Sequence, residues 1–146
     1  ATRLQCYAVK TALLSHQKET TMLAYTTVGV TDFERANAFY ASLLSIIDIG
    51  HVMGNERIAL YGTDVQNPML AICIPYDEKV ASVGNGTMVA IRAGSRAACD
   101  ELYAKAIALG ATCDGPPGER VPDFFYGAYV RDLDGNKLCF CQMGAN

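Results

Sequence analysis

Apolar side chains recur along the chain in two spacings, one typical of β-strands and one typical of α-helices. Residues 22–30 form an apolar, β-branched run that predicts a strand. The next segment has apolar residues three and four positions apart, which gives one apolar stripe along a helix. This stripe consists of Ala36, Phe39, Tyr40, Leu43 and Leu44. The preceding segment predicts a capping box, in which Thr31 and Glu34 satisfy the first free amides of the helix.

The same pattern returns 63 positions further along the chain. A second strand is predicted over residues 88–93, and Ser95, in the position equivalent to Asp32, is expected to cap a second helix. Gly110 is expected to end this helix. The second apolar stripe matches the first position by position and consists of Cys99, Leu102, Tyr103, Ala106 and Ile107. A constant offset with the same hydrophobic phase indicates an internal duplication.

Short predicted strands follow each helix. In the first half they are residues 46–53, 56–62 and 69–74, with a hairpin turn at Gly54-Asn55. In the second half they are residues 112–114, 124–132 and 137–143, with a tight turn at Asp134-Gly135-Asn136. The Gly-Pro-Pro-Gly segment at 115–118 is expected to form an irregular loop.

Each half therefore has the order strand, helix, strand, strand, strand. Because one helix covers only one face of a sheet, the other face must be buried elsewhere or line a cavity. We predict an α+β fold in which two βαβββ modules form a curved, cleft-forming mixed sheet with the helices outside. Module one is expected to span residues 22–83 and module two residues 84–146. Residues 1–21 are expected to form an ordered N-terminal extension with a short helix from about Leu4 to Leu14.

Composition narrows the classes of partner. The 146 residues are 51% hydrophobic and 18% charged, which is typical of one domain with a substantial core. A formal charge of −3 argues against nucleic-acid binding, and no apolar run approaches the length of a membrane span. The cysteines are six in number and lack a Cys-x-x-Cys spacing, so we expect reduced thiols and a cytoplasmic location.

The duplicated pattern, with residues 30–36 running into Phe39-Tyr40 and Leu43-Leu44, resembles the vicinal oxygen chelate superfamily. That superfamily includes glyoxalase I, bleomycin-resistance proteins, fosfomycin-resistance thiol transferases and extradiol dioxygenases. Residues 84–90 and 126–138 are similar to its hallmark stretches, the latter including a turn of the form Arg-Asp-x-Asp-Gly-Asn. The resemblance covers about residues 22–143 and implies a cleft between the modules.

The resemblance also implies where metal ligands would lie in the metal-dependent members. The positions usually taken by histidine, histidine and glutamate are Tyr25, Met88 and Cys139 in this chain. The strand that would supply a fourth ligand, residues 69–74, contains no Glu, Gln or His. We therefore expect no metal and no cofactor. A soft Cu(I) site of thioether and thiolate ligands is the alternative, and apolar filling of the former metal pocket is the simpler interpretation.

Strand alternation selects further ligand-binding candidates. Arg92 lies on the strand face of Met88, where it could bind a carboxylate or phosphate group, or it reaches solvent at the strand end. Tyr126 and Tyr129 could line a cavity or act as ordinary strand aromatics. We expect one shared cavity for Tyr25, Met88, Arg92, Cys139 and Cys141. The residues expected against the helices are Val28, Val89, Ile91, Leu138 and Phe140.

These expectations lead to three functional hypotheses. The first is a glyoxalase-like protein without metal ligands that binds a small organic molecule and sequesters or modifies it. The resemblance implies that such a protein is a homodimer. The second is a metal-dependent lyase or thiol transferase of the glyoxalase I or fosfomycin-resistance type, with ligands at other positions. The third is an interaction module with a filled cleft.

Overall fold

The computed structural model describes residues 21–144. The helix predicted over Leu4 to Leu14 therefore lies outside the described residues. Among the described helices, none is long and apolar enough to cross a membrane.

The described chain contains eight strands and two α-helices in the predicted order. The first module consists of β1 (Tyr25–Gly29), α1 (Phe33–Leu44), β2 (Gly50–Gly54), β3 (Ile58–Gly62) and β4 (Met69–Cys73). The second module consists of β5 (Val89–Arg92), α2 (Arg96–Ala108), β6 (Thr112–Val121), β7 (Phe125–Arg131) and β8 (Lys137–Met143).

Each module has its own four-stranded mixed sheet. The strand order is β1-β4-β3-β2 in the first sheet and β5-β8-β7-β6 in the second. The first strand of each module pairs in parallel with the last, and the other pairings are antiparallel. The predicted α+β class with two βαβββ modules is confirmed.

One hydrophobic core lies under both helices. The five apolar stripe residues of α1 are buried, as are Cys99, Leu102 and Ala106 of α2. Ile107 is 37% exposed, so the stripe of α2 is narrower than predicted. Strand side chains fill the core from both sheets, and they include Val28, Ile72, Leu138 and Phe140, with Val89 and Ile91 packed against its edge. Val28, Leu138 and Phe140 are thus buried in the core as predicted, whereas Val89 and Ile91 are only partly buried.

The N-terminal caps occupy equivalent positions in the two helices. Asp32 has an extended backbone, and its side chain accepts a 3.0 Å hydrogen bond from the Arg35 amide. Ser95 accepts a 3.0 Å bond from the Ala98 amide, as predicted. The predicted capping box at Thr31 is wrong by one residue, because the Asp32 carboxylate takes the capping position. The Thr31 amide instead donates to the Asp134 carboxylate at 2.8 Å.

Two predicted segments differ in the structure. Residues 45–47 form a 3-10 helix that extends α1, and Asp48 with a φ of 57° ends it, so β2 begins only at Gly50. The predicted loop at 115–118 is part of the ten-residue strand β6. Proline fits there because β6 is the edge strand and register shifts between Cys113 and Val121 leave Pro116 and Pro117 out of the ladder.

Hydrogen bonds at the β7–β8 turn hold the modules together. The buried Tyr40 hydroxyl of α1 donates to Asp132 at 2.5 Å. The side-chain amide of Asn136 donates to the Gly29 carbonyl at 2.9 Å and to Asp132 at 2.9 Å. Gly135, in the middle of this turn, has a φ of 89°, as its predicted tight turn requires. The end of β1 is therefore fixed to the beginning of β8.

Candidate functional site

A cavity of about 450 Å³ lies between the two modules. One wall is the free edge of β5 with the preceding Met88, and the opposite wall contains residues of β1, β3, β4 and the end of α1. Its apolar lining includes Leu23, Leu44, Ile47, Ile49, Tyr61, Met69, Leu70, Met88, Val89 and Ile91. Arg92 is the only charged residue among the described residues that line it.

The structure places two of the predicted site residues in this cavity. Met88 and Arg92 line it, whereas Tyr25, Tyr126, Tyr129, Cys139 and Cys141 do not. Within residues 21–144, Arg92 forms no ion pair, and it is exposed to solvent. The guanidinium is therefore available to an anionic group that enters the cavity.

The remaining candidates are distributed over the faces of the second sheet. Strand pairing places Ala90 of β5 on one side of Cys139 in β8 and Tyr129 of β7 on the other side. In the next row, Arg92 lies beside Cys141. We call this side, opposite α2, the open face of the second sheet. Arg92, Cys139 and Cys141 share this face, although only Arg92 of the three lines the cavity.

Tyr126 lies on the other face of the second sheet, against α2. Its hydroxyl donates to Asp100 at 2.7 Å, and this hydrogen bond raises the pKa of Tyr126. The Arg96 guanidinium lies 5.2 Å from the Tyr126 ring centroid and is paired with Glu119 at 2.6 Å. Tyr126 therefore stabilises the packing of α2 and is remote from the open face.

Cys139 and Cys141 are buried on the open face. Burial, with the neighbouring Cys141 as a second cause, raises the pKa of the Cys139 thiol to about 12. A reactive cysteine needs a lowered pKa, because the thiolate is the nucleophile. Cys139 is thus a neutral thiol at neutral pH and is not suited to nucleophilic catalysis.

The positions that correspond to metal ligands do not fit a metal ion. Tyr25 pairs with Met69 on the open face of the first sheet and is 52% exposed, while Cys139 is buried in the second sheet. A phenol, a thioether and a buried thiol of raised pKa are a poor donor set for a divalent ion, because they include neither an imidazole nor a carboxylate. Between residues 21 and 144, no three His, Cys, Asp or Glu side chains are arranged to hold a metal.

The centre of the open face of the first sheet is apolar. Leu60, Met69 and Ala71 form a buried cluster there, and Val52 and Ile58 pack against it. The side chains of this cluster offer a ligand neither charge nor hydrogen-bonding groups. The two open faces thus differ in character although the two sheets share one topology.

The sequence-based prediction missed a pair of cationic side chains on the open face of the second sheet. The Arg120 guanidinium and the Lys137 ammonium lie 5.5 and 5.3 Å from the ring centroid of Tyr129. Asp114 pairs with both Arg131, at 3.0 Å, and Lys137, at 3.1 Å, and the hydrogen bond from Lys137 lowers the pKa of Asp114. The Gly-Pro-Pro-Gly-Glu-Arg segment was the available indication of this group. Its first four residues were predicted to form a loop, so Arg120 was not placed on a strand.

Comparisons with known proteins agree with this architecture. The sequence model of the Glyoxalase/Bleomycin resistance protein/Dioxygenase superfamily matches residues 22–140. A glyoxalase/bleomycin resistance protein from Albidiferax ferrireducens T118 has 37% sequence identity and a TM-score of 0.75, over 83% of this chain and 98% of that one. No curated protein matches the sequence significantly.

More distant structures share the fold. A glyoxalase-related enzyme from Fulvimarina pelagi has 22% identity and a TM-score of 0.64, over 84% of this chain and 88% of that one. A lactoylglutathione lyase from Agrobacterium tumefaciens has 21% identity and a TM-score of 0.62, over 85% of this chain and 95% of that one. The chain belongs to the Glyoxalase/Bleomycin resistance protein/Dioxygenase superfamily.

Proposed function

We propose that this protein binds a small organic anion in the cavity between its modules and does so without a protein-bound metal. The observation that supports this proposal is an apolar cavity of about 450 Å³ with one charged lining residue, Arg92. Small-molecule sites commonly have volumes of about 300–1,000 Å³ and a mainly apolar lining with few polar groups. The apolar walls would bury the body of the ligand, and Arg92 would fix the orientation of its anionic end.

Sequestration needs only this binding, whereas modification of the ligand would require a reactive group near it. The neutral thiol of Cys139 lies outside the cavity lining, so we favour binding alone. The five described cysteines are free thiols, which supports the proposed reducing, cytoplasmic location.

We also propose that the protein acts as a homodimer. Large apolar side chains are exposed on and beside the open face of the first sheet, among them Met22, Leu23, Tyr25 and Met53. Contact with a second copy would remove this surface from water. Light scattering coupled to size-exclusion chromatography tests the dimer, and a monomeric mass at micromolar concentration would contradict it.

A titration with octanoate and with octanamide, its uncharged analogue, tests the cavity. We expect octanoate to bind about tenfold or more tightly than octanamide, because a hydrogen bond to a charged group contributes about 1.5–3 kcal/mol. The Arg92→Gln variant should lose this preference. Arg35→Gln, which removes an exposed arginine of α1, is the matched control and should keep it.

The alternative is a metal-dependent lyase or thiol transferase, as the name of the Agrobacterium structure suggests for that protein. An assay of hemithioacetal isomerisation with added Ni²⁺ or Zn²⁺ distinguishes the two. Metal-dependent turnover would support the enzyme and contradict the metal-free binding protein.

A further inference from the structure

We propose a second ligand site on the open face of the second sheet, where Arg120 binds the carboxylate of an aromatic acid. We call Arg120, Tyr129 and Phe125 the Arg120 subsite. None of the three lines the cavity between the modules. The subsite is therefore independent of the proposed function, and each can fail without the other.

Three glycines leave the space that these side chains occupy. A Cβ on Gly118 would lie 2.9 Å from Arg120 Nη1, and a Cβ on Gly115 would lie 3.0 Å from Tyr129 Cδ2. A Cβ on Gly127 would lie 2.7 Å from Phe125 Cε1. The guanidinium and both rings thus lie directly over the backbone of β6 and β7, on one face of the sheet.

Strand pairing makes the three groups neighbours. Gly118 pairs with Gly127, and Gly115 pairs with Tyr129. Paired residues of antiparallel strands lie about 4.5–5.5 Å apart and point their side chains to the same face. The Arg120 guanidinium, which lies over Gly118, is therefore adjacent to the Phe125 ring, which lies over Gly127.

Arg120 is held in place by neutral groups. It donates to the Pro116 carbonyl oxygen and lies against the Tyr129 ring. These contacts fix the side chain without neutralising its charge. A guanidinium has five N–H donors, so donors remain for a ligand, and little rotamer entropy is lost when the ligand binds.

The acidic side chains nearby are engaged elsewhere. Asp114 is shared by Arg131 and Lys137, and Glu119 pairs with Arg96 at 2.6 Å beside α2. In the described part of the chain, Arg120 has no carboxylate partner. An anion bound at Arg120 would thus meet a surplus of positive charge.

These observations favour a carboxylate on a flat apolar body. The two oxygens of a carboxylate match the planar fork of a single arginine. Lys137 is already paired with Asp114, so the subsite offers one free cation and not the several that a phosphate group commonly takes. The half-buried Phe125 ring offers a flat surface for an aromatic body beside the carboxylate.

The test compares 2-naphthoate with the uncharged 2-naphthamide by isothermal titration calorimetry on the full chain. We expect the wild-type protein to bind 2-naphthoate about tenfold or more tightly than 2-naphthamide. Arg120→Gln should abolish this preference, and Arg120→Lys should retain only part of it because lysine lacks the fork. Phe125→Leu should weaken both probes equally.

Arg96→Gln is the matched control, since Arg96 also lies over a tyrosine of β7 but on the opposite face and with a carboxylate partner. It should keep the preference. A preference unchanged in folded Arg120→Gln and Arg120→Lys would overturn the subsite. Loss of the preference in Arg92→Gln alone would also overturn it and would assign the aromatic acid to the cavity. Stronger competition by inorganic phosphate than by benzoate would overturn the choice of carboxylate.

Discussion

The two sheets have the same strand order and the same pairing directions, yet their open faces differ in chemistry. On the open face of the first sheet, Leu60, Met69 and Ala71 form a buried apolar cluster. The open face of the second sheet has Arg120 and Lys137 around Tyr129. The faces that pack against the helices are alike in both modules, with one common core.

This contrast separates what the fold requires from what it leaves free. Burial under the helix and the helix caps at Asp32 and Ser95 occur at equivalent positions in both halves. The open faces lie on the side of each sheet opposite the helices, so helix packing does not determine their residues. We therefore assign the first open face a structural role and the second a role in ligand binding.

The largest expected effect is a difference in stability between the two open faces. Leu60→Ala should lower the free energy of unfolding by about 2–5 kcal/mol, because Leu60 is 7% exposed and its removal leaves a cavity. Arg120→Gln should change it by no more than about 0.5–1 kcal/mol. Urea unfolding followed by circular dichroism measures both values. Equal losses for the two variants would contradict the assignment of separate roles.

The hydrogen bond from α1 to the second module has no counterpart in α2, which gives a second comparison between the modules. Tyr40 donates to Asp132, whereas the equivalent Tyr103 is partly exposed and interacts with Cys113. Tyr40→Phe should cost about 1–3 kcal/mol, since it removes a bond to a buried carboxylate. Tyr103→Phe is the matched variant and should cost no more than about 0.5 kcal/mol.

The pH dependence of the Tyr40→Phe effect has a defined sign. Burial, with the nearby Asp132 as a second cause, raises the pKa of Tyr40 well above its usual value of 10.0. Below pH 10 the hydroxyl is protonated in both the folded and the unfolded chain, so its stabilising contribution is fully present. Above pH 10 the unfolded chain releases the proton first, and the advantage of wild type over Tyr40→Phe decreases. An advantage that grows above pH 10 would contradict this assignment.

The loops that precede the last strands also differ between modules. The β3–β4 connection spans residues 63–68, whereas the β7–β8 turn is tight and depends on Gly135. Gly135→Val should cost about 1–2 kcal/mol because a Cβ is strained at a φ of 89°. Gly50→Val is the control, since Gly50 lacks a positive φ and has open space around it. An unchanged melting temperature for Gly135→Val would count against the strained turn.

Local sequence patterns explain why most of the fold was predictable. The apolar stripes, the Ser95 cap and the Gly135 turn depend on neighbouring residues, and the duplication tested each assignment against a second copy. The ten-residue strand β6 was not predictable, because Pro116 and Pro117 normally interrupt a ladder. Only the edge position of β6 and its register shifts make them compatible with a strand.

The site was predictable to a smaller extent. Alternation identified the face of Arg92, Cys139 and Cys141, because the side-chain period of a strand is two. It did not identify the free edge of β5 as a cavity wall, since that depends on how the modules pack. Alternation also left two positions open for Tyr126, in a cavity or as an ordinary strand aromatic, because its hydrogen bond to Asp100 on α2 is a long-range contact.

The smallest expected effect concerns metal, and it tests whether either open face retains a metal site. A divalent ion that bound only the folded chain would add about 2.7 kcal/mol to stability at one hundred times its Kd. For a domain of this size, that corresponds to a rise in Tm of several degrees, about 4 °C or more. Tyr25, Met88 and Cys139 offer no imidazole and no carboxylate, and burial raises the pKa of the Cys139 thiol to about 12, which disfavours its thiolate. We therefore expect no change in Tm with Zn²⁺, Ni²⁺, Mn²⁺, Mg²⁺ or a chelator. One equivalent of metal per chain in elemental analysis, removed by chelator with a fall of several degrees, would refute the metal-free site.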